Sequence, residues 1–204
     1  MLLEKLSKKH KADKLDSDLA MHFLEVYEWY FSPIREEKMD VLEIGVHHGG
    51  SLKMWEEYFP NSSISGIDID KKCKGYEGGR VKVFIGDQAN REFLKTMGEF
   101  NIIIDDGGHT MVQQQASFWE LWWHIKVGGY YVMEDLETSY WPQFDGGYRN
   151  KGNTMEMLKG LVDNLNHAGI GYSRAKGLAE GLPDYGIEFI HFYPSLCILK
   201  KGNR

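Results

Sequence analysis

The sequence predicts an α/β fold, a doubly wound and mostly parallel seven-stranded sheet with a reversed C-terminal edge strand. Three observations carry that reading. Short apolar, β-branched runs alternate with segments of helical periodicity, the order expected when crossover helices join parallel strands. The first run opens onto glycines and then a helix. Two later runs, Ile102-Ile103-Ile104 and Tyr130-Tyr131-Val132-Met133, each break into carboxylates where a parallel sheet presents its carboxyl edge.

Length and composition bound the answer. A chain of 204 residues suits one well-buried α/β domain spanning 1–204. A hydrophobic content of 42% with 26% charged residues is ordinary for a globular protein and argues against disorder. The formal charge of −6, without a dominant basic stripe, argues against a nucleic-acid partner. Lys8, Lys9, Lys11 and Lys14 gather with His10 near the N-terminus and read as a solvated helix end or frayed tail. Cys73 and Cys197 lie far apart with no CxxC, which fits a reduced, cytoplasmic protein. The opening MLLEKLSKKHK has no apolar h-region, so no secretory signal is expected. No run approaches the ~20 apolar residues of a membrane span.

The elements follow in order. Residues 1–37 form an N-terminal helical segment. Its clearest helix has Leu19, Phe23, Tyr27, Tyr30 and Phe31 at helical spacing, Ser17 or Asp18 as cap and Pro33 as stop. Met39–Ile44 is the first strand, followed by a glycine turn at 45–51 and a helix at Leu52–Phe59. Glycines let the backbone approach a ligand, and the helix N-terminus favours negative charge. The dinucleotide pattern GxGxxG would need glycine at position 47, which is histidine. Ser63–Ile69 is the second strand. Its Asp68 lies about 20 residues past the turn, where an acid meets ribose hydroxyls, and the aspartates there also suit a turn cap. Val81–Ile85 is the third strand; Asp87 and Gln88 after it either read a base edge or cap the helix at Asn90–Met97.

Phe100–Ile104 and Tyr130–Met133 are the fourth and fifth strands, with a helix at Met111–Ile125 between them. Trp119 and Trp123 fall off its buried face and read as peripheral packing or as a contact within a homo-oligomer. The segment 135–153, polar and aromatic, is too long for an ordinary connection and reads as an active-site loop or lid, with Tyr140, Trp141, Phe144 and Tyr148 as a substrate wall. A helix at Thr154–Asn166 precedes two strands, Ile187–Tyr193 and Leu196–Lys200, an antiparallel pair closing the sheet.

Carboxylates and one histidine at consecutive strand ends suggest a metal-assisted site. Hard oxygen ligands suit Mg²⁺, and no Cys/His set favours zinc. Adjacent Glu134 and Asp135 point to opposite faces within a strand, so both reach one ion only if the strand ends before them. Taken singly, the DDGGH run also suits a helix-capping turn and Glu134-Asp135 a solvated loop. His47 and His48 read as turn-forming or cofactor-adjacent, while His22, His124, His167 and His191 read as packing or solvent-facing.

Read together, VLEIGVHHGGSLKMW, FPNSSISGIDID, VKVFIGDQ, NIIIDDGGH, GGYYVMEDLETSYWP and LKGLVDNLNH resemble class I S-adenosylmethionine-dependent methyltransferases. Within them the chain is similar to the metal-dependent O-methyltransferases of macrolide and rhamnosyl sugars, and to the cephalosporin-hydroxylase-like family. Tyr27, Glu28 and Phe31 match the relatives' first helix; Met21 departs where they carry histidine, and Gly108 where they carry serine. The macrolide relatives also have a large extra N-terminal domain.

The resemblance implies a Rossmann-like methyltransferase domain with S-adenosylmethionine and Mg²⁺ as cofactors and a rhamnose-like sugar hydroxyl as acceptor. It implies cofactor contacts from Glu43, Gly45, Gly49, Ser51, Asp68, Asp87 and Gln88, and metal ligation by Asp106, Glu134 and Asp135. It makes His109 the general base and leaves Asp105 either orienting that base or touching the cofactor. The competing readings are catechol-type O-methylation, an NAD-dependent oxidoreductase, which His47 disfavours, and a non-catalytic binding module.

Overall fold

The computed structural model describes residues 1–14, 18–166 and 183–203. Ser17, His167 and the side chains of 18–21, among them Asp18, Leu19 and Met21, lie outside what it describes. Five parallel strands form the body of the sheet: β1 (Asp40–Ile44), β2 (Ser63–Asp68), β3 (Val81–Ile85), β4 (Phe100–Asp105) and β5 (Ile125–Met133). The hairpin β6 (Ile187–Tyr193) and β7 (Leu196–Lys201) completes a seven-stranded sheet of order β3-β2-β1-β4-β5-β7-β6. The reversed strand β7 pairs antiparallel with both β5 and β6, so it sits one place in from the edge and β6 is outermost.

Alternation along the strands divides the core into two layers. Val41, Ile102, Ile104 and Val132 pack against α1 (Leu2–His10), α2 (Asp18–Phe31) and α3 (Gly50–Tyr58), where Leu24, Tyr27, Phe31, Trp55 and Tyr58 are buried. Leu42, Ile44, Ile103, Tyr131 and Met133 face α4 (Arg91–Leu94), α5 (Met111–Leu121) and α6 (Thr154–Leu165), with Phe118, Leu121 and Leu158 at the centre. Residues on both faces of the central strands are therefore apolar, as a doubly covered parallel sheet requires.

Three elements depart from the sequence reading. The helix expected at Asn90–Met97 spans only Arg91–Leu94, with Asn90 as its cap. The helix α5 stops at Leu121, a short 3₁₀ turn covers Trp122–His124, and Ile125 already pairs with Phe100 as the start of β5. Gly128, at φ +82°, sits in the irregular stretch before the register settles at Ile102–Tyr130. The N-terminal lysines also divide. Lys8 and Lys9 are solvated and pair with Glu4 and Glu57, whereas Lys14 is only 2% exposed. Cys73 and Cys197 are both free and buried. Among the described residues no helix is long and apolar enough to cross a membrane.

Candidate active site

The parallel strands end level with one another. Ile44 lies beside Ile67 and Asp105, and Asp105 beside Met133. Their loops enclose a cavity of about 690 Å³ lined by Gly45, Asp68, Asp87 and Gln88 at one end and by Asp13, Asp106, His109 and Asp135 at the other. Gly45 is forced by the approach of two strand ends: φ is +95° and a Cβ there would lie 2.0 Å from the carbonyl oxygen of Asp106.

The end lined by Gly45, Asp68, Asp87 and Gln88 is held together by its own acids. Asp68 accepts N–H bonds from Val46 at 2.9 Å, His47 at 3.0 Å and Asp70 at 2.8 Å, which fix the glycine turn. Burial opposes its charge, but the three N–H groups outweigh burial and hold its carboxyl below the usual range. Gln88 faces the cavity while accepting from the Gly108 N–H at 2.7 Å and donating to Asp105 at 3.1 Å, so it clasps the turn after β4. Asp87 caps the following turn through the Ala89 N–H.

At the other end, one side-chain oxygen or nitrogen from each of Asp106, His109 and Asp135 lies within 4.8 Å of the other two. His109 and Asp135 both adopt left-handed backbone, φ 57° and 54°, which turns the side chains toward each other, and His109 Nε2 stands 3.2 Å from Asp135 Oδ2. Thr110 follows immediately as the cap of α5, in a capping box with Gln113, and fixes where the helix and hence the histidine begins. The Thr138 hydroxyl donates to the His109 carbonyl at 3.1 Å, tying the two acidic turns together.

β5 does end at Met133, before the acids, yet Glu134 and Asp135 diverge. Glu134 turns inward, 3% exposed, and accepts from Lys14 Nζ at 2.6 Å and the Tyr27 hydroxyl at 2.5 Å. Lys14 also donates to Asp106 at 2.6 Å and lies 3.9 Å from Glu43. Burial works against the Lys14 ammonium, but Asp106, Glu134 and Glu43 outweigh it and raise its pKa. Asp106 is thus shared by a buried ion-pair network and an open Asp106–His109–Asp135 group, whereas Glu134, with Oε1 held by Lys14 and Tyr27, does not line the cavity. Two carboxylates and an imidazole at one cavity end fit a hard divalent cation that keeps positions for an acceptor.

Other expected site residues sit elsewhere. Glu43 is fully buried, accepts from Ser51 at 2.6 Å and Trp55 at 3.0 Å, and does not line the cavity; burial pushes its carboxyl up to about 7. Ser51 is occupied by that bond. Gly49 packs under the Tyr76 ring, 2.5 Å from where its Cβ would be. Asp105, 1% exposed, accepts from Ser117, Tyr131 and Gln88 beneath the turn rather than in the cavity, and burial pushes it up to about 6. Tyr140 and Trp141 are 41% and 43% exposed and lie outside the cavity wall; Phe144, with ring centroids 6.4 Å apart, is the aromatic beside His109. Lys14 had no sequence signal, since it sits between helices. Only the need of buried carboxylates for a counter-cation points to such a residue.

No family model matches the chain. It is 35% identical over 209 residues to the 8-demethyl-8-α-L-rhamnosyl tetracenomycin-C 2′-O-methyltransferase of Streptomyces olivaceus, covering 96% of this chain and 53% of that protein. It is 36% identical over 191 residues to the demethylmacrocin O-methyltransferase of Streptomyces fradiae, covering 86% of this chain and 47% of the relative. Among solved structures, MycE methyltransferase from the mycinamycin biosynthetic pathway, in complex with Mg, SAH and mycinamycin VI, superposes with a TM-score of 0.88 at 34% identity over 98% of this chain and 53% of its own. The chain spans about half the length of the relatives it matches.

Proposed function

The chain belongs to the class I S-adenosylmethionine-dependent methyltransferases, with the macrolide and rhamnosyl sugar O-methyltransferases as its relatives, and from that premise we propose that it methylates a sugar hydroxyl on a glycan or glycosylated natural product. The observation that carries the proposal is the single cavity shared by the glycine turn with Asp68 and by the Asp106–His109–Asp135 group. A nucleoside cofactor and a metal-gripped acceptor are thereby neighbours, which is what in-line methyl transfer needs.

The reaction moves a methyl group from the sulfonium of S-adenosylmethionine to the hydroxyl oxygen and releases S-adenosylhomocysteine and a proton. Asp68 and Asp87 face the nucleoside, and Gly45 leaves room for it. Asp106 and Asp135 would hold Mg²⁺, with Glu134 kept alongside by Lys14. When bound, the ion supplies Lewis-acid polarisation of a hydroxyl whose own pKa is high. His109, left free of the ion that Asp106 and Asp135 would hold, is the group placed to take the hydroxyl proton, and Asp135 beside its ring steadies the imidazolium. Asp105 acts from beneath, holding Gln88 and through it the backbone on which His109 is mounted. Of the segment 135–153, Asp135 lines the cavity, and the rest is anchored beside it where Asn153 donates to the carbonyls of Ser139 and Gly147.

The test is a panel of rhamnosides, other deoxysugar glycosides and catechols offered with methyl-labelled cofactor, with and without Mg²⁺. Label on a sugar oxygen that depends on Mg²⁺ supports the proposal. Transfer confined to catechols replaces the acceptor class, and binding of NAD without S-adenosylmethionine overturns the reading.

A further inference from the structure

With Glu43 sealed behind Ser51, Trp55 and Lys14, none of the motif's own acids is left to meet the charged amino-acid end of the cofactor. That end carries an α-ammonium and an α-carboxylate side by side and needs an acceptor for the first and a donor for the second. The cavity wall offers an acceptor from outside the glycine turn and a ring from within it: Asp13 Oδ2 stands 3.7 Å from His47 Nδ1, with side chains 49% and 65% exposed. At that separation the two are neighbours without being bonded, and both keep hydrogen-bonding capacity for a ligand.

Asp13 is held there by the fold. The helix α1 ends at Lys11 in left-handed backbone, φ 54°, with the Lys11 and Ala12 N–H groups both donating to the Ser7 carbonyl. The turn then presses on the first residue of α3, where a Cβ on Gly50 would lie 2.7 Å from the Lys11 carbonyl oxygen. Lys9 and His10 pin α1 to Glu57 of α3, and buried Lys14 locks the next residue to Asp106 and Glu134. Asp13 therefore projects between two fixed points, at the opposite end of the cavity from Asp87 and Gln88. It is not part of the group that could hold an ion, which is Asp106, His109 and Asp135.

We propose that Asp13 and His47 read the zwitterionic amino-acid end of S-adenosylmethionine, Asp13 accepting from the α-ammonium and His47 facing the α-carboxylate. The inference rests on the methyltransferase reading and assigns its cofactor specificity to a residue outside the glycine motif. The chain then discriminates the whole cofactor from a nucleoside thioether that lacks the amino acid.

Titration calorimetry with the full chain tests this, using S-adenosylhomocysteine and 5′-methylthioadenosine, which share adenine, ribose and sulfur and differ by the amino-acid end. Asp13→Asn should weaken S-adenosylhomocysteine by about tenfold or more, the size of a lost charge-assisted bond, and leave 5′-methylthioadenosine unchanged. His47→Asn, which tolerates the left-handed backbone at that position, should act in the same direction. Unchanged binding of both ligands overturns the assignment, and so does an equal loss for both, which is the mark of a structural role. If the wild-type chain binds neither ligand, the methyltransferase reading itself falls.

Discussion

Lys14 is predicted to have a large effect on stability. Its ammonium contacts Asp106 and Glu134 at 2.6 Å and is 2% exposed, so removing it strands the buried carboxylate of Glu134. Lys14→Met should lower unfolding free energy by about 3–5 kcal/mol in urea titration, the usual cost of breaking a buried pair. A loss below about 1 kcal/mol would mean that the network is not formed in solution. Glu43 and Asp105 set a pH dependence. Burial lifts them to about 7 and about 6, above starting values of 4.5 and 3.8. A carboxyl raised on folding binds its proton more tightly in the folded state. Its contribution is complete below the unfolded value and is lost as pH rises through the folded one. Stability should therefore decline across the window from roughly pH 4 to about 7, and Glu43→Gln should flatten that decline. Identical slopes for variant and wild type would contradict the assignment.

At the scale of elements, the junction between β4 and α5 matters most, because His109 is its last residue before the helix cap. Thr110→Ala removes the capping box and should cost about 1 kcal/mol of stability, read from the urea midpoint. A change of only a few tenths would show that the junction is held by other contacts. The strands were legible in the sequence because runs such as Ile102–Ile104 are apolar on both faces, and that run ends in acids. The end of α5 was not, since Trp122 and Ile125 keep helical spacing while the chain leaves the helix. The acidic runs were equally legible as a candidate site. Their division was not, because whether Glu134 or Asp135 faces the cavity depends on Lys14 and Tyr27, which lie more than a hundred residues away. Such pairings are tertiary and leave no periodicity. The same holds for Glu43 and Ser51, whose places in a family motif say nothing of which way they turn.

For the molecule as a whole, the sheet order brings the glycine turn of β1, Asp68 of β2 and the acids after β4 and β5 to one edge around one cavity. That convergence brings the glycine turn with Asp68 and the Asp106–His109–Asp135 group into one cavity, the arrangement that the proposed methyl transfer to a sugar needs. The most direct measurement is the rate of labelled methyl transfer to a rhamnoside accepted in the panel, for the wild-type chain with Mg²⁺, for the EDTA-treated chain, and for His109→Ala with Mg²⁺. Each assay is paired with S-adenosylhomocysteine affinity. The account predicts transfer abolished by EDTA and restored by Mg²⁺, and a fall of roughly 10²–10⁴ in His109→Ala with cofactor affinity unchanged. Undiminished transfer in EDTA or in His109→Ala would contradict it.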